Sequence, residues 1–257
     1  MVKQRWSVSH ARHHMFKVTA ILATVVLVVA VNAPATWLAD WVSQSSRLRL
    51  VYADGTVWNG TAMLALSDGK QARIVPDRVS WQVQWRALFA GRVTVEMRHA
   101  AVDEPLRLSY DRNGFYLDPG SALLPAGLLS VAGAPFNTIS PGGTLFLRWE
   151  TLRAAGNGFD GEISMDWRAA QSALSPVSPL GDYRVIARAN GGKGDVTLTT
   201  LSGPLLLEGT GKITEGKLRF SGTADAEPHM RASLNGLIGV LGPRSGQKVL
   251  LRWELQT

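Results

Sequence analysis

The run of residues 18–39 constrains the fold most, because it is uncharged and dominated by aliphatic side chains. In helical form these 22 residues would span about 33 Å, enough to cross the roughly 30 Å hydrocarbon core of a bilayer. Trp37 and Trp41 stand at its carboxyl-terminal end, where interfacial aromatic residues are common. The run therefore predicts one amino-terminal transmembrane helix that serves as a signal-anchor.

The residues that flank this run predict its orientation. Residues 1–17 contain four lysines and arginines and no acidic side chain, whereas Asp40 follows the run directly. Because segments rich in lysine and arginine stay on the cytoplasmic side, we expect the basic tail of residues 1–17 to be cytoplasmic. Residues 40–257 would then form the periplasmic body of a single-pass inner-membrane protein.

A cleaved secretory signal is the alternative interpretation of the same segment. Ala33-Pro34-Ala35 is an Ala-x-Ala pattern that follows a basic region and an apolar stretch. Against cleavage, both the basic region and the apolar run are long for a signal peptide. Cleavage would release the body into the periplasm, so the two interpretations differ in anchorage and not in compartment.

The net charge of +7 does not indicate a nucleic-acid-binding protein, because four of the cations lie in the amino-terminal tail. The remainder carries 27 − 4 = 23 basic residues against 20 acidic residues, a net charge of +3. It has no run of lysine and arginine, so the electrostatic footprint of nucleic-acid binding is missing. The chain also has no cysteine, which excludes disulfide bonds and cysteine-ligated metal sites.

Alternation of apolar and polar residues predicts an antiparallel, all-β body. In residues 79–86, valine and tryptophan alternate with polar side chains, which is typical of a strand with one buried and one solvated face. The 26 glycines predict frequent turns between short strands. Asn113-Gly114 predicts the central pair of a type I′ hairpin turn. Residues 121–133 lose the alternation, and we expect a short helix or a packed loop there.

An internal repeat indicates that the body is a tandem duplication. Leu147-Arg148-Trp149-Glu150 and Leu251-Arg252-Trp253-Glu254 are identical, and a Gly-Leu-apolar sequence precedes each of them. The small residues of 154–158 interrupt the strand pattern between the two copies. We therefore predict two similar β modules, residues 40–153 and 154–257, that form a curved sheet or a sandwich. The repeated tryptophans would occupy equivalent core positions.

The side chains available for chemistry do not form a known catalytic pattern. The body contains two histidines, His99 and His229, and neither belongs to a metal-ligand motif. The carboxylates near predicted turns have an ordinary role in accepting backbone hydrogen bonds: Asp54, Asp68, Asp103, Glu104, Asp111 and Asp118. We therefore predict a protein that is not an enzyme, with no catalytic residue, no cofactor and no metal site.

Tryptophan is unusually frequent, with nine residues. Five of them fall on the apolar faces of predicted strands: Trp81, Trp85, Trp149, Trp167 and Trp253. Packing in a core is the first interpretation of these rings. The functional alternative is that they line an open groove for an acyl chain or for a strand of a partner.

Three stretches resemble the type II secretion system protein N family. They are Gly55-Thr56-Val57-Trp58-Asn59-Gly60 after the amino-terminal run, Ser178-Pro179-Leu180-Gly181-Asp182-Tyr183, and the sequence of residues 201–211. The resemblance implies a single-span inner-membrane subunit of the secretion machinery. It also implies contacts with inner-membrane platform proteins and with the periplasmic domains of the secretin.

Two functional hypotheses follow. In the first, a non-enzymatic subunit assists assembly or stability of the secretion platform and its link to the secretin by presenting sheet edges and loops. In the alternative, the chain resembles AsmA-like envelope proteins, in which a hydrophobic β groove handles lipid. A groove lined by tryptophan and leucine would favour the alternative, whereas a filled core with polar edges would favour the first hypothesis.

Overall fold

The computed structural model describes residues 8–45, 48–67, 72–133, 136–156, 158–214, 217–246 and 248–256. Two helices come first, α1 (Val8–Val31) and α2 (Ala35–Ser45). The predicted span of residues 18–39 is divided between them, because Pro34 cannot donate the backbone hydrogen bond that a continuous helix needs. Within the described residues, no helix is both long enough and apolar enough to cross a membrane.

The body consists mainly of antiparallel β-strands, which confirms the prediction. The strands are β1 (Leu48–Gly55), β2 (Asn59–Ser67), β3 (Ala72–Val83), β4 (Val93–Arg98), β5 (Leu106–Asp111), β6 (Gly114–Leu117), β7 (Gly120–Pro125), β8 (Pro141–Trp149), β9 (Leu152–Ala155), β10 (Gly158–Ser172), β11 (Gly181–Asn190), β12 (Lys193–Ser202), β13 (Leu205–Thr214), β14 (Lys217–Ala226), β15 (Arg244–Ser245) and β16 (Lys248–Gln256). The remaining helices are α3 (Trp85–Phe89), α4 (Phe136–Ile139), α5 (Arg231–Leu241) and two 3₁₀ helices, Ala126–Ala132 and Pro228–Met230.

The described strands join into one open sheet. Its order is β1-β2-β3-β4-β5-β6-β9-β10-β11-β12-β13-β14-β16-β15, and β7 and β8 branch from it at β10. β10 can make this branch because it is 15 residues long, so that its first residues pair with β9 and later residues with β8. The predicted module boundary at residue 154 lies in the hairpin between β9 and β10, and the sheet continues through it.

The larger hydrophobic core lies between α5 and the carboxyl-terminal strands. α5 directs Leu234, Leu237 and Ile238 toward the sheet, because positions i, i+3 and i+4 share one helix face. Tyr183 is almost completely buried in this core, and burial raises the pKa of its phenol well above the ordinary value. The smaller core lies under α2, which contributes the buried Ala35.

Two local predictions were wrong, and both concern the end of a strand. β3 ends at Val83, so Trp85 lies on α3 and is exposed, although Trp81 is buried as predicted. The β5–β6 hairpin is present, but Asp111 pairs with Gly114 and the turn is therefore one residue earlier than predicted. The positive φ of +126° belongs to Gly114 as a strand residue, so Asn113-Gly114 is not the central pair of a type I′ turn.

The sequence that loses its alternation forms a strand followed by a helix. β7 occupies residues 120–125, and the 3₁₀ helix Ala126–Ala132 follows it directly. The short helix expected in residues 121–133 is thus confirmed for the second half of that range. The first half pairs with β8 instead.

The two copies of the repeated tetrapeptide occur in similar settings. β7 and β8 are antiparallel neighbours separated in sequence by helical segments, and β14 and β16 are antiparallel neighbours separated by α5 and β15. Trp149 and Trp253 are both half-buried near the ends of their strands. Their contacts differ, because the Trp149 indole donates to the carbonyl of Asp118 at 2.9 Å, whereas Trp253 stacks on Phe220. Tandem duplication stays a prediction.

Candidate functional site

The helix junction, residues 32–34 between α1 and α2, connects the amino-terminal helices to the sheet. Because Pro34 has no N–H, the carbonyl of Ala30 lacks the donor that an α-helix supplies from four residues ahead. The indole Nε1 of Trp58 donates to this carbonyl at 2.6 Å. A side chain from the loop between β1 and β2 therefore replaces the hydrogen bond that proline removes from the helix.

The junction loop, residues 55–60, makes two further contacts with the same place. The backbone N–H of Val57 donates to the carbonyl of Ala33 at 2.9 Å. Thr56 and Pro34 form an isolated antiparallel bridge. Together with the Trp58 contact, these interactions fix the end of α1 against the first hairpin of the sheet.

Short-range hydrogen bonds and two glycines give the junction loop its shape. The backbone N–H of Thr56 donates to the carbonyl of Asn59 at 2.9 Å, and the Thr56 hydroxyl accepts from the N–H of Asn59 at 3.1 Å. Gly55 has a φ of +89°, which favours glycine. A β-carbon at Gly60 would lie 2.5 Å from the ring of Trp81, so only glycine leaves room for that ring.

β3 supports the junction loop from the other side. The indole of the buried Trp81 donates to the carbonyl of Val57 at 3.0 Å. The N–H of Val83 donates to the carbonyl of Trp58 at 2.7 Å. The loop is therefore held between a central strand of the amino-terminal part and the helix junction. Thr56 and Trp58 contribute side chains to these contacts, whereas Val57 and Asn59 contribute backbone groups.

Aromatic side chains surround the junction. The ring of Trp58 contacts the ring of Trp85, with a centroid separation of 4.6 Å. Phe89, on the same short helix α3 as Trp85, is 93% exposed. Trp37 and Trp41 are also exposed, on the face of α2 opposite to the alanines that pack on the sheet. Large aromatic side chains thus lie at the surface on α2 and α3.

The described side chains of α1 also expose apolar surface. These residues are 45–64% exposed: Ile21, Leu22, Val25, Val26, Leu27, Val28, Val29 and Val31. Their positions cover every side of the helix at about 100° per residue. An apolar surface of this extent indicates a binding partner or a lipid environment.

The carboxyl-terminal strands have a filled apolar face and not an open groove. α5 packs on this face, and an apolar cavity of about 50 Å³ remains against it. Its lining includes Trp167, Tyr183 and Trp253. The cavity has room for a few water-sized molecules and is too small for an acyl chain. This cavity is therefore not the groove that the alternative hypothesis requires.

The five tryptophans predicted on apolar strand faces differ in their burial. Trp81 and Trp167 are buried, as core packing predicts. Trp149 and Trp253 are half-buried, and Trp85 is exposed. The interpretation as core residues is thus confirmed for two rings and wrong for Trp85.

A charged cluster lies on the face of the sheet opposite to α5. Asp166 precedes the core residue Trp167 on β10 and therefore points to the other face. Its carboxylate accepts hydrogen bonds from Arg184 at 2.6 and 2.8 Å and from Arg168 at 3.1 Å. The Arg184 hydrogen bond lowers the pKa of Asp166 to about 2, although burial acts in the opposite direction. The same pairing raises the pKa of Arg184.

This arrangement repeats along the two strands. Arg188 and Glu162 form a two-point ion pair at 2.7 and 3.1 Å, which raises the pKa of Arg188. Glu162 and Arg188 are direct cross-strand partners, as are Asp166 and Arg184. These pairs hold β10 and β11 in register, and that structural role accounts for them without a ligand.

β16 has an outer edge that is mostly unpaired by other described strands. β15 pairs with its beginning only, at Lys248 and Val249, and the N–H of Leu250 donates outward to Pro243 at 2.9 Å. Because strand residues alternate, the N–H groups of Arg252 and Glu254 also point away from β14. A further strand could therefore pair with the outer edge of β16 through these two backbone donors.

The two histidines lie in separate surroundings. The Nδ1 of His99 accepts from the N–H of Ala101 at 3.0 Å, and its Nε2 is buried without a hydrogen-bond partner among the described residues. His229 is near the carboxylate of Glu227, at 3.6 Å. Among the described residues, no group of three or more histidine and acidic side chains is arranged to hold a metal ion.

Several carboxylates have the turn role that the sequence predicts. Asp54 accepts from the N–H of Gly55 at 2.8 Å, and Asp111 accepts from the N–H of Asn113 at 2.8 Å. Asp103 instead accepts from the hydroxyl of Ser121, at 2.9 Å. Asp68 lies outside the described residues.

Sequence reasoning found the junction loop as a motif but missed its contacts. The signal that could have shown them is Pro34 itself, which removes the usual donor four residues ahead from the carbonyl of Ala30 and leaves room for a second partner beside the Ala33 N–H at 3.4 Å. The Trp58 indole supplies that partner.

Comparison with protein-family models gives one result that bears on function. The model described as type II secretion system (T2SS), protein N, matches residues 46–251. This range holds 251 − 46 + 1 = 206 of the 257 residues, and it includes the junction loop, α5 and the start of β16. Neither the curated proteins nor the solved structures give a match to the chain.

Proposed function

The chain belongs to the type II secretion system protein N family, and on this basis we propose that it is a non-enzymatic subunit of the type II protein secretion machinery. In this proposal α1 anchors the chain in the inner membrane, with the basic amino terminus in the cytoplasm and the β-body in the periplasm. The subunit assists assembly or stability of the inner-membrane platform and its link to the outer-membrane secretin.

The observation that carries this proposal is the clamped helix junction. It joins a helix that exposes apolar side chains along its length to a β-body whose carboxyl-terminal strands pack their apolar face against α5. An aqueous environment disfavours the exposed surface of α1, whereas the acyl region of a bilayer accepts it. The junction therefore connects a helix that is compatible with lipid to a β-body that is placed in water.

The burial of the Ala-x-Ala pattern supports an uncleaved chain. Ala33 in the helix junction and Ala35 at the start of α2 are both buried, and the Ala33 carbonyl accepts the hydrogen bond from the N–H of Val57. We expect the intact mass of the protein extracted from membranes to include α1. A mature form that begins at Thr36 would contradict the anchor and leave a secreted body.

The outer edge of β16 is the surface that we propose for a partner subunit of the machinery. Arg252→Pro or Glu254→Pro would remove one outward N–H and leave the hydrogen bonds to β14 in place, because those residues point away from β14. We expect weaker cross-linking to platform or secretin subunits in these variants. Arg252→Ala and Glu254→Ala are the matched controls, because they alter the side chain and keep the N–H. Equal cross-linking in all four variants would exclude this edge.

A deletion strain tests the proposed function as a whole. We expect reduced export of folded periplasmic enzymes with normal resistance to detergent, because an accessory subunit stabilises its partners by a finite amount and does not catalyse a step. Secreted-enzyme activity and detergent sensitivity would be measured in the same strain. Normal secretion with strong detergent sensitivity would overturn the proposal and would instead favour a lipid-handling envelope protein.

A further inference from the structure

We propose that Trp58, Trp85 and Phe89 form an aromatic foot by which the β-body rests on the phospholipid bilayer. The foot is a second membrane contact, formed by the loop between β1 and β2 and by α3. It rests on the proposed anchoring by α1. It adds that the body itself enters the lipid interface at a defined place.

A chain of close contacts places the foot beside the end of α1. The Trp58 indole is hydrogen-bonded to Ala30 in the last turn of α1, at 2.6 Å. The ring of Trp85 lies against Trp58, with a centroid separation of 4.6 Å. Phe89 follows Trp85 by four residues on α3, so the two side chains share one face of that helix. The ring of Trp85 is thus two contacts away from α1, and Phe89, the most exposed ring of the foot, lies on the same helix face as Trp85.

The exposure of the foot indicates what it contacts. Phe89 is 93% exposed and Trp85 is 47% exposed, so both rings project from the described surface. Tryptophan and phenylalanine at the boundary of an apolar helix are typical of residues that insert among lipid headgroups. Arg86, on the same helix, is exposed and can pair with lipid phosphates. The continuity with α1 favours a bilayer over a protein partner as the occupant.

The foot has a mechanical consequence for the subunit. A single helix would let the body rotate and tilt, whereas a second contact on the rigid junction restricts both motions. The sheet would then keep a fixed orientation above the membrane. In that orientation β16 and its open edge are held at a constant distance from the bilayer.

The absence of cysteine from the sequence makes a direct test simple. An environment-sensitive fluorophore would be attached to Ala90→Cys in the full chain, because Ala90 is exposed beside Phe89 and leaves the foot intact. The protein would be placed in nanodiscs of phosphatidylethanolamine and phosphatidylglycerol. Lys212→Cys on β13 is the aqueous control, and Val26→Cys on α1 reports on the anchor.

We expect the Ala90 label to show blue-shifted emission and strong quenching by brominated lipids, with the Lys212 label unaffected. Adding Phe89→Ser should reduce the quenching at Ala90 severalfold while the Val26 label stays in the bilayer. A quenched Val26 label with an unquenched Ala90 label would overturn the foot and leave the anchor intact. Unquenched labels at both positions would overturn the anchor and the foot together.

Discussion

α2 and α5 both cover one face of the sheet, but they use side chains of different size. Among the described residues, α5 inserts leucine and isoleucine into a core of sixteen buried residues, whereas α2 contributes Ala35 to a core of four. Because hydrophobic stabilisation grows with buried apolar area, the carboxyl-terminal region supplies more of it. The amino-terminal region depends more on hydrogen bonds, namely those that the junction loop makes with the helix junction.

The part of the molecule with the larger hydrophobic core is not the part that exposes the aromatic foot. The exposed aromatic residues of the aromatic foot belong to the region with the smaller core, and the larger core lies at the other end of the sheet. Regions with few buried contacts open more readily, and binding elements often belong to them. The larger core of the carboxyl-terminal region would keep the strands next to the open edge of β16 folded while the amino-terminal region contacts the membrane.

The largest expected effect concerns α5. Leu234→Ala should lower the free energy of unfolding by about 2–5 kcal/mol, because the side chain is fully buried and its removal leaves a cavity. Urea denaturation of the detergent-solubilised chain would measure this loss. Val240→Ala on the exposed side of α5 is the matched control and should change stability by less than about 0.5 kcal/mol. Equal losses would show that α5 does not dominate the core.

α2 should respond to enlargement of a side chain. Ala35 is 1% exposed against the sheet, so Ala35→Leu should cost about 1–3 kcal/mol of stability by overpacking. Thr36→Leu is the control, since Thr36 is exposed on the same helix. The same denaturation assay applies, with tryptophan fluorescence as the signal. A stable Ala35→Leu variant would mean that α2 is loosely packed, and the contrast with α5 would be greater.

Asp166 should make the stability of the carboxyl-terminal region depend on pH. Its pKa is about 2 in the folded chain against an ordinary 3.8, so its ion pair stabilises the fold above about pH 4 and is lost as pH falls toward 2. Solvent around the half-exposed Arg184 screens the pair and reduces its contribution to the free energy of unfolding.

The measurement is the difference in unfolding free energy between wild type and Asp166→Asn. We expect this difference to be constant from pH 7 to about pH 5 and to shrink below pH 4. Asp195→Asn removes the exposed pair with Lys212 and should have no measurable effect at any of these pH values. A difference for Asp166→Asn that does not change with pH would contradict the ion-pair explanation.

The strands could be predicted from the sequence where one face is buried and the other solvated. The predicted alternation at residues 79–83 is observed in β3, where Val79, Trp81 and Val83 are buried. α5 was not predicted, although Leu234, Leu237 and Ile238 have helical spacing. Glycines at three positions within and just after this segment resembled turn signals, and burial against the sheet outweighs their low helix propensity.

The candidate site was harder to predict because its contacts join distant parts of the chain. The motif of residues 55–60 was visible, and so was Pro34, but 28 residues separate Trp58 from the carbonyl that it satisfies. Alternation also placed Trp85 on a strand, whereas the chain turns into α3 at that point. Local periodicity carries no information on either event, since both depend on tertiary contacts.

The smallest expected effect tests whether hydrogen bonds hold the amino-terminal region. Trp58→Phe keeps an aromatic ring at the position next to Trp85 and removes the indole N–H that donates to Ala30, whose carbonyl then keeps only the weaker bond from the Ala33 N–H at 3.4 Å. Loss of this bond should cost about 1 kcal/mol in local opening of the junction. The amide of Val57, which donates to Ala33, should then exchange with solvent about fivefold faster, because a tenfold change corresponds to about 1.4 kcal/mol. Trp149→Phe removes the corresponding donor to Asp118 and should leave Val57 unchanged. An unchanged exchange rate of the Val57 amide in Trp58→Phe would show that packing and the remaining backbone hydrogen bonds hold the junction. The amino-terminal and carboxyl-terminal regions would then differ only in the size of their hydrophobic cores.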